Sequence, residues 1–295
     1  MKQPEGFIDE NANLVCKLKK SIYGLKQSSR CWNATLDFHL KEMGFTQSTS
    51  DPCMYMDSGG DGFCIGVYVD DMVLAGRSDQ RIKEVKAELS QRFDIKDLGK
   101  LHHFLGITVE QGEGGGCTWI GQSTYTKNLL KKFGMQDCKP DCTPVDVNAK
   151  LTKATDEEES VDQQQYQSAI GSLMCLSVST RPDIAYAVGN LAKFSSKPTK
   201  AHWMALKRVL RYLKGTVSHG ILYRKGESSE CISFSDADWA GDVNDRKLTS
   251  GYLFQMSRGA ITWRSKSRSV LLSVCGTLKC STRICVAQEA HVRFW

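Results

Sequence analysis

The chain has 295 residues, enough for a sizeable core and about two domains, and its 41% hydrophobic and 24% charged content is ordinary for a globular protein. No apolar run approaches the roughly 20 residues that a bilayer span needs, and no leader peptide is expected, because Met1 runs straight into Lys-Gln-Pro-Glu-Gly. A net charge of +6 with a pI near 8.6 suits an anionic partner without demanding one.

The twelve cysteines contain no C-x-x-C pair, and Cys138 and Cys142 lack a second ligand pair at zinc spacing. Reduced thiols in an intracellular protein are expected. In chain order, Leu14, Cys16 and Leu18 alternate with Val15, Lys17 and Lys19, which predicts a short strand. Trp32, Leu36 and Leu40 at four-residue steps predict a helix from about Ser29 to Met43, closed by Gly44 as its C-cap.

The stretch from Gly62 to Gly76, GFCIGVYVDDMVLAG, holds two short apolar runs around Asp70 and Asp71. It predicts a β-hairpin buried on both faces. Aspartate is a common turn residue because its carboxylate bonds nearby backbone N–H groups, so an Asp-Asp turn is one reading. The other starts from cost. Two adjacent carboxylates among valines repel each other and resist desolvation. A divalent cation such as Mg²⁺ relieves both problems, and two such ions suit phosphoryl transfer.

Ser78 caps a predicted helix with Ile82, Val85, Leu89 and Phe93 on one face. Leu98 to Val109 ends in a strand-like tail. His102 and His103 diverge on a strand, which favours packing or surface roles over metal ligation. GEGGG at Gly112 to Gly116 predicts a hairpin loop, and Tyr125 to Phe133 a helix. Lys139 to Pro144 is turn-rich. Ala154 to Gln165 is acidic and polar, a solvated linker or helix entry near a subdomain boundary.

From Ile184 to Gly226 there is no acidic residue and nine Lys or Arg. Pro198 to Lys214 predicts one helix, with Pro198 in its first turn and Gly215 just past its end. Trp203, Leu206, Val209, Leu210 and Leu213 form its apolar face, and Lys200, Lys207, Arg211 and Lys214 fall on one stripe. That stripe is either a solvated face or a track for a phosphate backbone, and the length of the acid-free run favours the track. Cys231 to Asp242 then alternates into an acidic cluster containing Asp236, followed by two strand-like runs from Gly251 to Trp263.

Together these motifs resemble one family, the Pol polyprotein of copia-type retrotransposons, over Met1 to about Lys266. MKQPEGF resembles the segment just after the first catalytic motif of the reverse transcriptase. KSIYGLKQSSRCW resembles the template and nucleotide-binding motif, with Gln27 at its glutamine. YVDDM resembles the active-site hairpin, which implies catalytic, metal-binding roles for Asp70 and Asp71. LGKLHHFLGITV resembles the segment ending in the primer grip. TRPDIAYAVGNLAKFSSKPTKAHWMALKRVLRYLKGT looks like thumb and connection. SDADWAGD with TSGYLF resembles the opening of an RNase H domain, with Asp236 at its first metal-binding catalytic carboxylate.

The resemblance implies an α+β chain: a partial polymerase palm over 1–112, a thumb or connection over 113–226, and an incomplete RNase H-like α/β domain over 227–295. It implies RNA-directed DNA polymerase chemistry with Mg²⁺. The partners implied are an RNA template, RNA–DNA hybrid and deoxynucleotides, and Lys200, Lys207, Arg211 and Lys214 contact nucleic acid. The family's third catalytic Asp lies upstream of MKQPEGF. After WRSKS the chain reads RSVLLSVCGTLKCSTRICV, without the family's catalytic Glu, and the likeness resumes at VAQEAHVRFW, the pattern of a compensated pair of frameshifts. Weak or absent catalysis is therefore expected, with a nucleic-acid-binding remnant or a non-functional retrotransposon fragment as the alternative, and the resemblance implies a cytoplasmic (virus-like particle in the parent element) or nuclear location.

Overall fold

The computed structural model describes residues 2–7, 14–59, 62–154, 159–226, 230–238, 244, 248–268, 278–281 and 288–294. Its elements in chain order are α1 (Ser28–Glu42), β1 (Phe45–Gln47), β2 (Met54–Asp57), β3 (Cys64–Tyr68), β4 (Asp71–Gly76), α2 (Asp79–Arg92), β5 (Ile95–Lys100), β6 (His103–Phe104), β7 (Ile107–Gln111) and β8 (Cys117–Gly121). There follow α3 (Ser123–Lys132), α4 (Gln163–Ser179), α5 (Ala185–Ala192), α6 (Lys200–Gly215), β9 (Gly220–Arg224), β10 (Glu230–Asp238), β11 (Leu248–Met256), β12 (Gly259–Arg268), β13 (Leu278–Ser281) and β14 (Gln288–Phe294). Every strand pairing among them is antiparallel, which makes the chain a mixed helix-and-sheet protein compatible with the α+β class.

The chain divides into two compact units, Met1–Leu101 with Val286–Trp295, and His102–Cys285. In the first, one sheet runs in the order β1-β2-β3-β4-β14-β5. Leu36 and Leu40 of α1 and Ile82, Val85 and Leu89 of α2 bury against Tyr55, Ile65, Met72 and Leu74 of that sheet. Each such side chain contributes about 1.5–3 kcal/mol relative to exposure. The predicted helices fall close to their expected bounds. Gly44 (φ +87°) ends α1 with its N–H on the Lys41 carbonyl at 3.1 Å. The Ser78 hydroxyl accepts from the Arg81 N–H and starts α2.

The strand expected over Leu14 to Lys19 does not form. Val15 makes only an isolated bridge to Lys2, and Leu14 and Val15 are 52% and 72% exposed. The alternating pattern has no sheet to bury it, so its hydrophobic period goes unused. The tail expected over Leu98 to Val109 is broken into the end of β5, then β6, then β7. Leu105 and Gly106 both take positive φ, which closes a two-residue hairpin turn between β6 and β7.

In the second unit, β6-β7-β8-β9 and β12-β11-β10-β13 form two four-stranded sheets. Helices α3 to α6 share one core that includes Tyr166, Leu173, Leu176, Ile184, Leu206, Leu210 and Leu213. The predicted loop after β7 and the helix α3 are present, and Asp162 caps α4 by accepting from the N–H groups of Gln164 and Gln165. Helix α6 starts two residues later than expected. Thr199 is its N-cap in a reciprocal pair with His202, so Pro198 precedes the cap, and Gly215 is the last helical residue. The acidic residues Asp156 to Glu158, the WAGD of SDADWAGD, and residues 269–277 and 282–287, which hold most of the stretch expected to be frameshifted, lie outside the described residues.

Candidate functional site

The β3–β4 hairpin turns on two residues, Val69 and Asp70, since Tyr68 and Asp71 are its last cross-strand pair. The turn is therefore one residue earlier than an Asp-Asp turn, and Asp71 opens β4. Val69 has φ 56°, and Asp70 is not among the positive-φ residues. Positive φ at the first central position alone is the pattern of a type II′ turn, which normally takes glycine there. A β-branched side chain in that region costs on the order of 1–3 kcal/mol.

What holds the strained residue is visible. The Trp32 indole N–H of α1 donates to the Val69 carbonyl at 2.9 Å. Trp32 in turn packs edge-on against Phe93, with ring centroids 5.4 Å apart. Below the turn, Ile65, Met72 and Leu74 are fully buried and fix both strands. Thus Val69 and Asp70 are presented at an exposed tip on a rigid base, with Asp71 half-buried beside them. Gln27 is the exposed N-cap residue of α1, the helix that also carries Trp32, and makes no side-chain cap hydrogen bond. Among the described residues, no group of three His, Cys, Asp or Glu is arranged to hold a metal ion.

Asp236 belongs to the second unit. It sits in β10 opposite Gly251 of β11 and lines a cleft of about 590 Å³ with Tyr186, Phe234, Leu253, Trp263 and Ser265. Its unit differs from that of Asp70 and Asp71.

The basic stripe of α6 is not left bare. Arg208 and Arg211 both reach Asp141 at 3.1 Å, and Asp146 stands 4.0 Å from Arg208. Lys200 pairs with Glu159 at 3.1 Å. The Lys207 ammonium lies over the Trp203 ring, 5.8 Å from its centroid. Lys214 is half-buried near the end of the helix. A run without acids in sequence thus receives Asp141, Asp146 and Glu159 in space.

An ionic node around a buried arginine lies at the C-terminal end of α6. Arg181 is only 2% exposed. It makes a two-pronged contact to Asp183, donates to the Thr216 carbonyl at 2.9 Å and to its hydroxyl at 2.7 Å. The Tyr212 hydroxyl also donates to Asp183, at 2.8 Å. Burial pushes the Asp183 carboxyl up, but the hydrogen bonds and charge of Arg181 and the Tyr212 bond outweigh it and leave it below its ordinary value. The sequence reading missed both this node and the Trp32 tie. The signals available were a tryptophan placed on a helix face before a valine-aspartate turn, and an Arg-Pro-Asp sequence at a helix junction.

Comparison with known proteins adds the following. Residues 1–147 match the family described as reverse transcriptase (RNA-dependent DNA polymerase). The chain is 40% identical over 274 residues to the retrovirus-related Pol polyprotein from transposon TNT 1-94 of Nicotiana tabacum, covering 90% of this chain and 21% of that protein. It is 41% identical over 275 residues to the Pol polyprotein from transposon RE1 of Arabidopsis thaliana, covering 91% of this chain and 18% of that one. A transposon Ty5-1 protein of Saccharomyces cerevisiae is 33% identical over 279 residues, covering 94% of this chain and 90% of that protein. The chain therefore spans about a fifth of the plant polyproteins it matches. No solved structure matches it.

Proposed function

Because the chain belongs to the reverse transcriptase family of retrotransposon Pol polyproteins, we propose that the β3–β4 hairpin is the catalytic turn of an RNA-directed DNA polymerase. The observation that carries this reading is the strained Val69, held by Trp32 at the tip that presents Asp70 and Asp71. Strain of this kind persists only where the surroundings over-determine it, and it collects at functional sites. In this reading residues 1–112 are palm, 113–226 thumb or connection, and 227–295 RNase H-like, with Asp236 as its carboxylate. Gln27 contacts the incoming deoxynucleotide, and the substrates are an RNA template and its RNA–DNA hybrid.

The family's chemistry calls for a divalent metal. Asp70 and Asp71 are hard oxygen donors of the right type for Mg²⁺. Two neighbouring carboxylates do not by themselves make a two-ion site, and no third ligand joins them among the described residues. The donor set is thus incomplete, and we infer that this chain alone does not extend a primer. The test is primer extension by the purified chain with Mg²⁺ or Mn²⁺. No product is expected; extension that disappears in Asp70→Asn would overturn the inference of inactivity while supporting the catalytic role of the hairpin.

A second reading is a nucleic-acid-binding remnant without chemistry. It rests on the nine cations between Ile184 and Gly226. It expects salt-sensitive binding of RNA–DNA hybrid that weakens in the double variant Lys207→Ala, Arg211→Ala. Unchanged affinity in that variant would remove its support.

A further inference from the structure

The acids that meet α6 come from one stretch of chain, and they come in register. Starting from its C-terminal half, the Asp141 carboxylate bridges Arg208 and Arg211, and its own N–H donates to the Arg211 carbonyl at 3.3 Å. Thr143 accepts two bonds from Arg208, at its carbonyl (3.2 Å) and its hydroxyl (2.9 Å). Asp146 adds charge on the same guanidinium. Further toward the N-terminus of the helix, the Thr152 carbonyl meets Nε2 of the buried His202 at 3.0 Å. Nδ1 of that ring accepts the Thr199 N–H, so Nε2 carries the proton given to Thr152. At the helix start, Ser160 bridges Thr199, and the Lys200 N–H donates to the Glu159 carbonyl while its ammonium meets the Glu159 carboxylate. The described residues 141–154 and 159–160 thus meet α6 from its third turn back to its cap, fixed by backbone bonds at both ends.

We propose that this strap is an intramolecular competitor for phosphate: Asp141, Asp146 and Glu159 occupy the cations of α6 that a nucleic-acid backbone would use, and binding requires their displacement. The proposal rests on the reading of α6 as a nucleic-acid contact. Its physical basis is that a phosphate oxygen and a carboxylate oxygen make the same charge-assisted bonds to guanidinium and ammonium groups. The competitor is tethered, so it acts at high effective concentration although the exposed Lys200–Glu159 pair is weak by itself. Lys207 and Lys214, which receive no strap carboxylate in the ion pairs described, are the entry points.

The experiment is binding of a labelled RNA–DNA hybrid, titrated from about 50 to 200 mM salt. Four forms of the full chain are compared. They are the native chain, a strap variant (Asp141→Asn, Asp146→Asn, Glu159→Gln), a control with the same charge change on and just after α2 (Glu84→Gln, Glu88→Gln, Asp94→Asn), and the strap variant with Lys207→Ala and Lys214→Ala. The strap variant is expected to bind about tenfold tighter and to steepen the log–log salt slope by about 2–3. The α2 control is expected to gain less than about threefold, because the described ion pairs of α6 are made by Asp141, Asp146 and Glu159 and by none of these three carboxylates. The added lysine changes should return the strap variant to native affinity.

Equal gains in strap variant and control mean that net charge alone acts, and they overturn the competitor. No measurable binding by any form overturns both the competitor and the nucleic-acid reading of α6. Binding with a gain that survives the lysine changes overturns the placement on α6 while leaving binding by the chain intact. Should the triple variant lose its cooperative melt, Glu159→Gln alone carries the comparison, since that pair is 69% and 72% exposed. A gain of about two- to threefold is then expected, and no gain overturns the proposal.

Discussion

Asp70 and Asp183 are both acidic residues beside a second charged group, and the fold treats them in opposite ways. Asp183 is wedged against Arg181 and Tyr212, with hydrogen bonds on both oxygens. Asp70 is exposed at the tip of a hairpin next to a residue in strained geometry. In the second unit, a carboxylate one-third exposed is spent to neutralise a buried guanidinium. In the first, conformational energy is spent to present charges outward. A carboxylate that stabilises its fold is one whose lone pairs are consumed; a carboxylate kept for a ligand must be held from behind, by its backbone. Here the holding is done by an indole on a helix and by three buried side chains under the turn.

The contrast can be broken hardest at Arg181. Arg181→Met keeps much of the stem volume, removes the guanidinium from the one-third-exposed Asp183 carboxylate and leaves the Thr216 carbonyl without its donor. Urea unfolding is expected to show a loss of about 1–3 kcal/mol for the second unit. A loss under about 0.5 kcal/mol would mean that the node contributes no more than a surface ion pair.

Acid sharpens the same point. The Asp183 carboxyl is held below its ordinary value in the fold, so its contribution is present above about pH 4 and is lost as pH falls through the folded value. The native chain should therefore lose stability steeply below about pH 4, while Asp183→Asn, weaker at neutral pH, should show a flatter acid limb. Parallel acid limbs in thermal melts would contradict the assignment. The smallest effect is expected at the hairpin. Val69→Gly relieves the positive φ but adds freedom to the unfolded chain, so a net gain of about 1 kcal/mol is expected. A loss instead would show that the valine side chain packs productively at the tip.

Much of the first unit was legible because its signals are local. Four-residue spacing placed α1, a serine cap and a buried stripe placed α2, and two apolar runs placed β3 and β4. The position of the turn was not legible. Local rules put aspartates in turns and valines in strands, and a long-range hydrogen bond from Trp32 reverses that order at Val69 and Asp71. The strand expected at Leu14 failed for the opposite reason, since its alternation is correct but no partner sheet receives it. The acid-free run around α6 misled in a third way. Charge was read along the chain, whereas Asp141, Asp146 and Glu159 arrive from outside the run. The likeness to a polymerase family was carried by ordered motifs, which short-range patterns alone do not supply.

One consequence follows from the bond between Trp32 and Val69. Indole emission depends on what its N–H faces, and here it faces the carbonyl of the turn itself. The protein thus carries an optical gauge of its β3–β4 turn, and a change in the geometry of the tip would be written in the colour of the light that Trp32 emits.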